Sequence, residues 1–330
     1  MSEPEDRLLL AGVALGAMVS LVAVLALSGV LGGGDQEPLE LTGFGATERA
    51  APAAAVPPPA VKRIPLGGRP DTIAAGAGYV WVADTLAGTL ERLHPRSHRP
   101  VPVDAAGFPT DISAGEGGAW LALPDRGAVQ RLTVDGPGEP AKVSGFPFQV
   151  AAGEGGVWAM SQKSVERVDP ATGEPDGPPV ALGGNGTAIA AGEGSVWVVR
   201  GNDEVVRIDP SGGEPSGEAA AVPTAFNVTV GESAAWALGT DGALTRIDPG
   251  SGAPAGDPVP TGQPLDIAAG LGYVWVALAD GTVARIDPET GTEVGVPIEV
   301  GRAPEAIAVG EGAVWVACAG DGAVYRIAPR

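Results

Sequence analysis

The sequence contains seven tryptophans, Trp81, Trp120, Trp158, Trp197, Trp236, Trp275 and Trp315, separated by 39, 38, 39, 39, 39 and 40 residues. Each lies in a short apolar run such as Val274-Trp275-Val276-Ala277. A period near 40 residues, kept over most of a chain, marks a repeat architecture in which each unit buries its apolar face only against its neighbours. Any fold for this chain must accommodate seven equivalent units.

Composition narrows the secondary structure of the unit. The 330 residues include 52 Gly and 32 Pro, a level often found in disordered chains. A hydrophobic content of 44% argues against disorder, because a chain with that much apolar surface buries it. Short strands joined by many tight turns reconcile the two. The net charge of −20 disfavours nucleic acid and anionic lipid as partners, which need a basic patch, and reads first as solubility. The single cysteine, Cys318, allows no intramolecular disulfide; at the end of an apolar strand it reads as a buried, inert thiol. No Cys/His spacing suggests zinc.

Residues 8–31 are an uncharged apolar stretch of 24, long enough to cross a hydrocarbon core of ~30 Å as a helix. The preceding residues 1–7 are acidic, and the apolar core is too long for a cleaved signal peptide, so an uncleaved anchor is expected. Arg7 precedes the stretch; Asp35, Glu37 and Glu40 follow it. The positive-inside tendency then leaves residues 1–7 in the cytoplasm and exports the rest. Residues 32–60, ending in the run APAAAVPPPA, read as a disordered or extended linker, and residues 61–330 as the repeat domain.

The sixth repeat resolves into four strands, A to D, at 265–269, 273–278, 282–286 and 296–300, divided by Gly and Pro turns. Asp280 and Gly281 between B and C predict a two-residue type I′ hairpin. That turn would set Trp275 opposite Ile286, and in the fifth repeat Trp236 opposite Ile247, each Trp serving as inter-blade core. The arginine that recurs once per repeat (Arg92, Arg131, Arg167, Arg207, Arg246, Arg285, Arg326) would fall on the other face, Arg285 opposite Val276. Its recurrence in every unit marks scaffold chemistry, an ion pair or bonds to backbone carbonyls. Seven four-stranded units predict an all-β, seven-bladed β-propeller. The last repeat ends after strand C, and the segment VKRIPLGG at 61–68 is placed to supply its strand D, closing the ring without an open edge.

The pattern carried by DIAAGLGYVWVALADGTVARIDPETG (266–291) and its six relatives resembles the YVTN/NHL-like propellers, most closely the virginiamycin B lyase-like branch. The resemblance covers about residues 61 to 330. It implies a seven-bladed ring and, for the lyase branch, histidines and acidic residues converging on a metal and substrate at one mouth of the channel. This chain has only His94 and His98, both in the C–D turn of the first blade, on the face shared by A–B and C–D turns. The lyase-type site is expected on the opposite face, formed by D–A and B–C turns, so the family's histidines have no counterpart here.

Positions that differ between repeats on that second face are the candidate site. They are Asp71, Asp111, Phe148, Gln149, Phe226, Asn227, Asp266 and Glu305 at the start of strand A, with Asp84 and Arg200 after strand B. Carboxylates and amides are oxygen ligands suited to Ca²⁺ or Mg²⁺, with Asp71, Asp111, Asp266 and Glu305 as metal candidates, or else solvated rim residues. Phe148 and Phe226 read as core plugs or apolar ligand contacts. Glu116, Glu154, Glu193, Glu232 and Glu311 in the A–B turns make a regular acidic ring on the other face, read as solvated or as a surface for a basic partner. The functional expectation is a membrane-anchored extracytoplasmic module that binds a protein, glycan or small ligand at the channel mouth. The alternative is a metal-dependent lyase or hydrolase at the same mouth.

Overall fold

The computed structural model describes residues 59–211 and 215–328. The expected span at 8–31 and nearly all of the linker lie outside them, and among the described residues no helix is long and apolar enough to cross a membrane. The described chain forms seven antiparallel sheets in sequence, a seven-bladed propeller. In blade six the strands are Pro264–Gly270, Tyr273–Leu278, Thr282–Ile286 and Ile298–Glu299. Strand D is shorter than 296–300 because Pro297 has no N–H to give the ladder. In blade two the outer strand is split into Gly136–Pro137 and Ala141–Lys142, both paired with Ala128–Thr133.

Ala60–Pro65 pairs with Ala323–Ala328 and completes blade seven as its outer strand. Leu66 and Gly67 both donate to the Gly322 carbonyl at 3.0 Å, tying the entry segment to the last B–C turn. The ring is thus closed by backbone pairing between the two ends of the described chain.

The hairpin register differs from the expected one by one residue. Leu278 pairs with Thr282, so residues 279–281 form the loop, and Gly281 alone has positive φ (+86°). A type I′ turn needs positive φ at two successive residues; one glycine after a type I turn gives a three-residue loop instead. A one-residue slip changes every partner. Trp275 therefore faces Arg285, and Val274 faces Ile286; Trp236 faces Arg246, and Ala235 faces Ile247. In six of the seven blades the guanidinium lies over an aromatic face. Arg131, Arg167, Arg246 and Arg326 stand 5.6–5.9 Å from the Trp of their own blade. In blades one and six, Arg92 and Arg285 stand 4.9 Å from Tyr79 and Tyr273, which pack edge-on against Trp81 and Trp275. The arginine also bonds backbone carbonyls, as expected: Arg92 donates to Thr133 and Val134, and Arg207 to Pro249 and Gly250, each in the next blade.

Seven apolar clusters hold the blades together, each spanning one seam and each built on one Trp. Trp236 of blade five, for example, packs with Ile267, Val274, Val276 and Ile286 of blade six. All seven rings are at most 1% exposed. Six of the seven indole N–H groups donate to the carbonyl of the glycine that ends strand A of the same blade, at 2.9–3.2 Å. That glycine also permits close approach between blades. A Cβ on Gly310 would stand 2.2 Å from the Ala75 carbonyl oxygen, and one on Gly153 2.5 Å from that of Ala191.

The acidic ring is not simply a solvated face. Each of the five glutamates accepts a backbone N–H from the next blade's A–B turn. Gly155 donates to Glu116, Gly194 to Glu154, Ser233 to Glu193, Gly272 to Glu232 and Gly78 to Glu311, at 2.8–3.1 Å. Ala77 and Leu271 occupy the two equivalent positions, so this latch is missing at the seams between blades one and two and between six and seven.

Replacing Trp236 by Ala is expected to cost about 3–5 kcal/mol in denaturant unfolding, since it empties one seam of its largest side chain. A loss below about 1 kcal/mol would show that the seam does not rely on the ring.

Candidate functional site

The mouth formed by D–A and B–C turns carries the irregular residues. Where strand A enters it, the chain bulges in blades four to seven, and the backbone N–H just before the strand in blades one to three bonds the end of strand B. Bulges bend a strand and re-aim the side chain that follows. In blade six the side chain after the bulge, Asp266, turns toward the next blade and meets a backbone N–H there; Asp111 does the same in blade two, where the strand has no bulge.

Asp111 accepts Val150 N–H of blade three at 2.9 Å, and its own neighbour Ile112. Asp266 accepts Ile307 N–H of blade seven at 2.7 Å, Ile267 N–H at 2.8 Å and the Asn227 amide of blade five at 2.6 Å. Asn227 in turn accepts Val228 N–H. These three expected site residues are thus stitched along the channel wall. Burial pushes both carboxyls up to about 7 against the pull of their hydrogen bonds, and the charge of Asp266 raises Asp111 further. Gln149 holds the equivalent position in blade three, half-buried.

A second group forms at the seam between blades seven and one. Asp71 accepts both the Thr85 hydroxyl (2.7 Å) and Thr85 N–H (3.0 Å). Arg69 pairs with Glu305 at 3.1 Å, and Asp84 accepts the N–H groups of Arg69 and Ala87. Burial raises the Asp71 and Glu305 carboxyls, with the neighbouring Asp84 charge adding to it. Arg200 stands apart in the blade-four hairpin, bonded to Glu204 and to the Leu182 carbonyl.

The four metal candidates therefore do not converge. Asp71 and Glu305 are neighbours, whereas Asp111 and Asp266 belong to other seams, with oxygens already taken by backbone N–H groups. Among the described residues no three His, Cys, Asp or Glu side chains form a group that could hold a metal ion. His94 accepts Arg96 and Ser97 N–H through Nδ1, the part that Asp169, Asp248 and Asp287 play in other C–D turns. His98 Nδ1 lies 2.9 Å from Lys62 Nζ on the closing strand. Phe148 and Phe226 pack into inter-blade clusters as plugs, and Cys318 is buried, its thiol pushed up to about 12.

Three residues absent from the expected site are prominent on this face. Leu86 in the first B–C turn, Phe108 in the turn from blade one to two and Phe146 in the turn from two to three are 60%, 59% and 54% exposed. Each Phe precedes a buried proline (Pro109, Pro147). The proline caps the seam, and the residue before it is held extended and outward. The Phe108 ring lies against Gly88 in the turn that carries Leu86: a Cβ there would stand 2.5 Å from its Cδ1. A sequence signal exists, the tripeptide Gly-Phe-Pro at 107–109 and 145–147, where other blades carry Arg69 or Gln263 before the proline.

No protein-family model matches the chain, and no curated protein matches it. Among solved structures it is similar to selenomethionine-substituted virginiamycin B lyase from Staphylococcus aureus, with a TM-score of 0.68 and 18% identity, over 82% of this chain and 99% of that one. What the two share is the fold.

Between the ordinary carboxylate value of 3.8 and about 7, folded Asp111 and Asp266 hold protons that the unfolded chain has released. Stability is therefore expected to fall as pH rises through that window and to level off above it. The turn aspartates with lowered values act below the window and do not offset it. Unfolding midpoints from pH 4 to 8 should show this slope in the native chain and a shallower one in the Asp111→Asn/Asp266→Asn variant; equal slopes would contradict the assignment.

Proposed function

We propose that the chain is a membrane-anchored, extracytoplasmic binding module whose ligand face is the mouth formed by D–A and B–C turns. The observation that carries this reading is a division between the two faces. On the A–B and C–D side, the repeated acids and arginines are largely consumed by bonds within the ring. On the mouth side lie the irregular polar residues and, among the described residues, the three most exposed large apolar side chains except Val134, which belongs to the other face. Loops on a rigid scaffold are where binding residues concentrate.

The anchor is the stretch 8–31, whose length and lack of charge suit a bilayer. The described chain enters at Ala60, paired with Ala328 at the end of the last strand C, on the face opposite the mouth. The segment that leads to the anchor therefore joins the ring on the side away from the mouth. The Pro-rich linker spaces the ring off the surface.

The test is site-specific photo-crosslinking in cells that express the full chain. A photoreactive residue at position 108, on the mouth, is expected to give discrete crosslinked products; one at position 134, equally exposed on the opposite face, is expected to give none. Products at 134 and none at 108 would reverse the assignment of the face.

A further inference from the structure

We propose that the mouth recognises an extended polypeptide segment of a partner protein, with apolar side chains flanking Lys or Arg. This rests on the binding reading above and names the chemistry of its ligand. Two observations meet on the same arc of the rim. The first is apolar. Leu86, Phe108 and Phe146 follow one another along blades one to three. Phe108 touches the turn of Leu86 at Gly88, and its N–H bonds Asp125 in the next B–C turn. The Phe146 loop reaches that same turn, where a Cβ on Gly127 would stand 3.2 Å from the Gly145 oxygen. Exposed large side chains in sequence on one rim, rather than scattered singly, mark an interaction surface.

The second observation is the charge that this arc leads into. Inward from Leu86 lie Asp84, Asp71 and Glu305, and among the described residues Arg69 is the one cation that faces Asp71 and Glu305. A segment laid with its apolar residues on the arc places its basic residues at these carboxylates. The other occupants fit less well. A second copy of a chain of net charge −20 is repelled by the first, and anionic lipid is repelled likewise. A sugar or small neutral ligand would use stacking but not the acidic wall.

The test is fluorescence anisotropy with the full chain in detergent and three labelled ten-residue peptides: one mixing Phe, Leu and Lys, one with the Lys replaced by Glu, and one with the Phe and Leu replaced by Ser. Only the first is expected to bind. The Phe108→Ser/Phe146→Ser variant should weaken it about tenfold or more, as removal of aromatic anchors does, whereas Val134→Ser on the opposite face should not. Raising the salt should also weaken it. Equal binding by the peptide without Phe and Leu, or unchanged binding to the double variant, would overturn the proposal. If no peptide binds while crosslinks still form at position 108, the peptide chemistry falls and the mouth remains the ligand face.

Discussion

A tryptophan set between two sheets, with an arginine over an aromatic ring of the same hairpin in six of the seven blades, is the contact on which the ring depends. A four-stranded blade has two faces and cannot bury both alone. Each Trp fills the space between its blade and the next, and the seven resulting clusters are the only large apolar cores among the described residues. In six of the seven blades its indole N–H is returned to the glycine that ends strand A, and that glycine in turn lets the next inner strand approach. One short motif therefore fixes sheet register, blade spacing and channel width together.

Around these seams the repeated polar residues serve as connectors. The glutamate latch ties A–B turns at five of seven seams, and the two it skips set blades seven and one apart from blades two to six. Other bonds cover the gaps. Arg92 crosses the first unlatched seam to the Thr133 and Val134 carbonyls, and Asp266 crosses the second to Ile307. On the channel side, polar residues that differ between blades do similar work. Asp111 and Asp266 satisfy inward N–H groups, and burial in the wall makes both carboxyls hold their protons to near-neutral pH.

The fold was legible because its determinant is periodic. Seven Trp at one spacing, a missing last strand and a spare first one suffice for the ring and its closure. The register was not legible, because it turns on the sign of φ at Asp280, where Asp-Gly is compatible with both a two-residue and a three-residue loop. The candidate site was read only in part. Asp71, Glu305, Asn227 and Asp266 do gather at seams, but Asp71 is bonded to Thr85, Glu305 to Arg69, and Asp266 to Asn227 and backbone, rather than around a vacant centre. Variation between repeats identified residues freed from symmetry without telling that they were re-used in packing, as Phe148 and Phe226 show. The exposed arc was not legible because the sequence does not tell which residue of a Phe-Pro pair is buried; at 108–109 and 146–147 it is the proline.

The molecule divides into residues that build the ring and residues on the mouth that do not. The most direct measurement is thermal unfolding of the Leu86→Ser/Phe108→Ser/Phe146→Ser variant beside the native chain. If the arc is a surface kept for a partner, the midpoint stays within about 2 °C of native, because exposed positions away from packing change stability little. A drop of about 8 °C or more would show that these side chains support the ring and would contradict the division on which the functional reading stands.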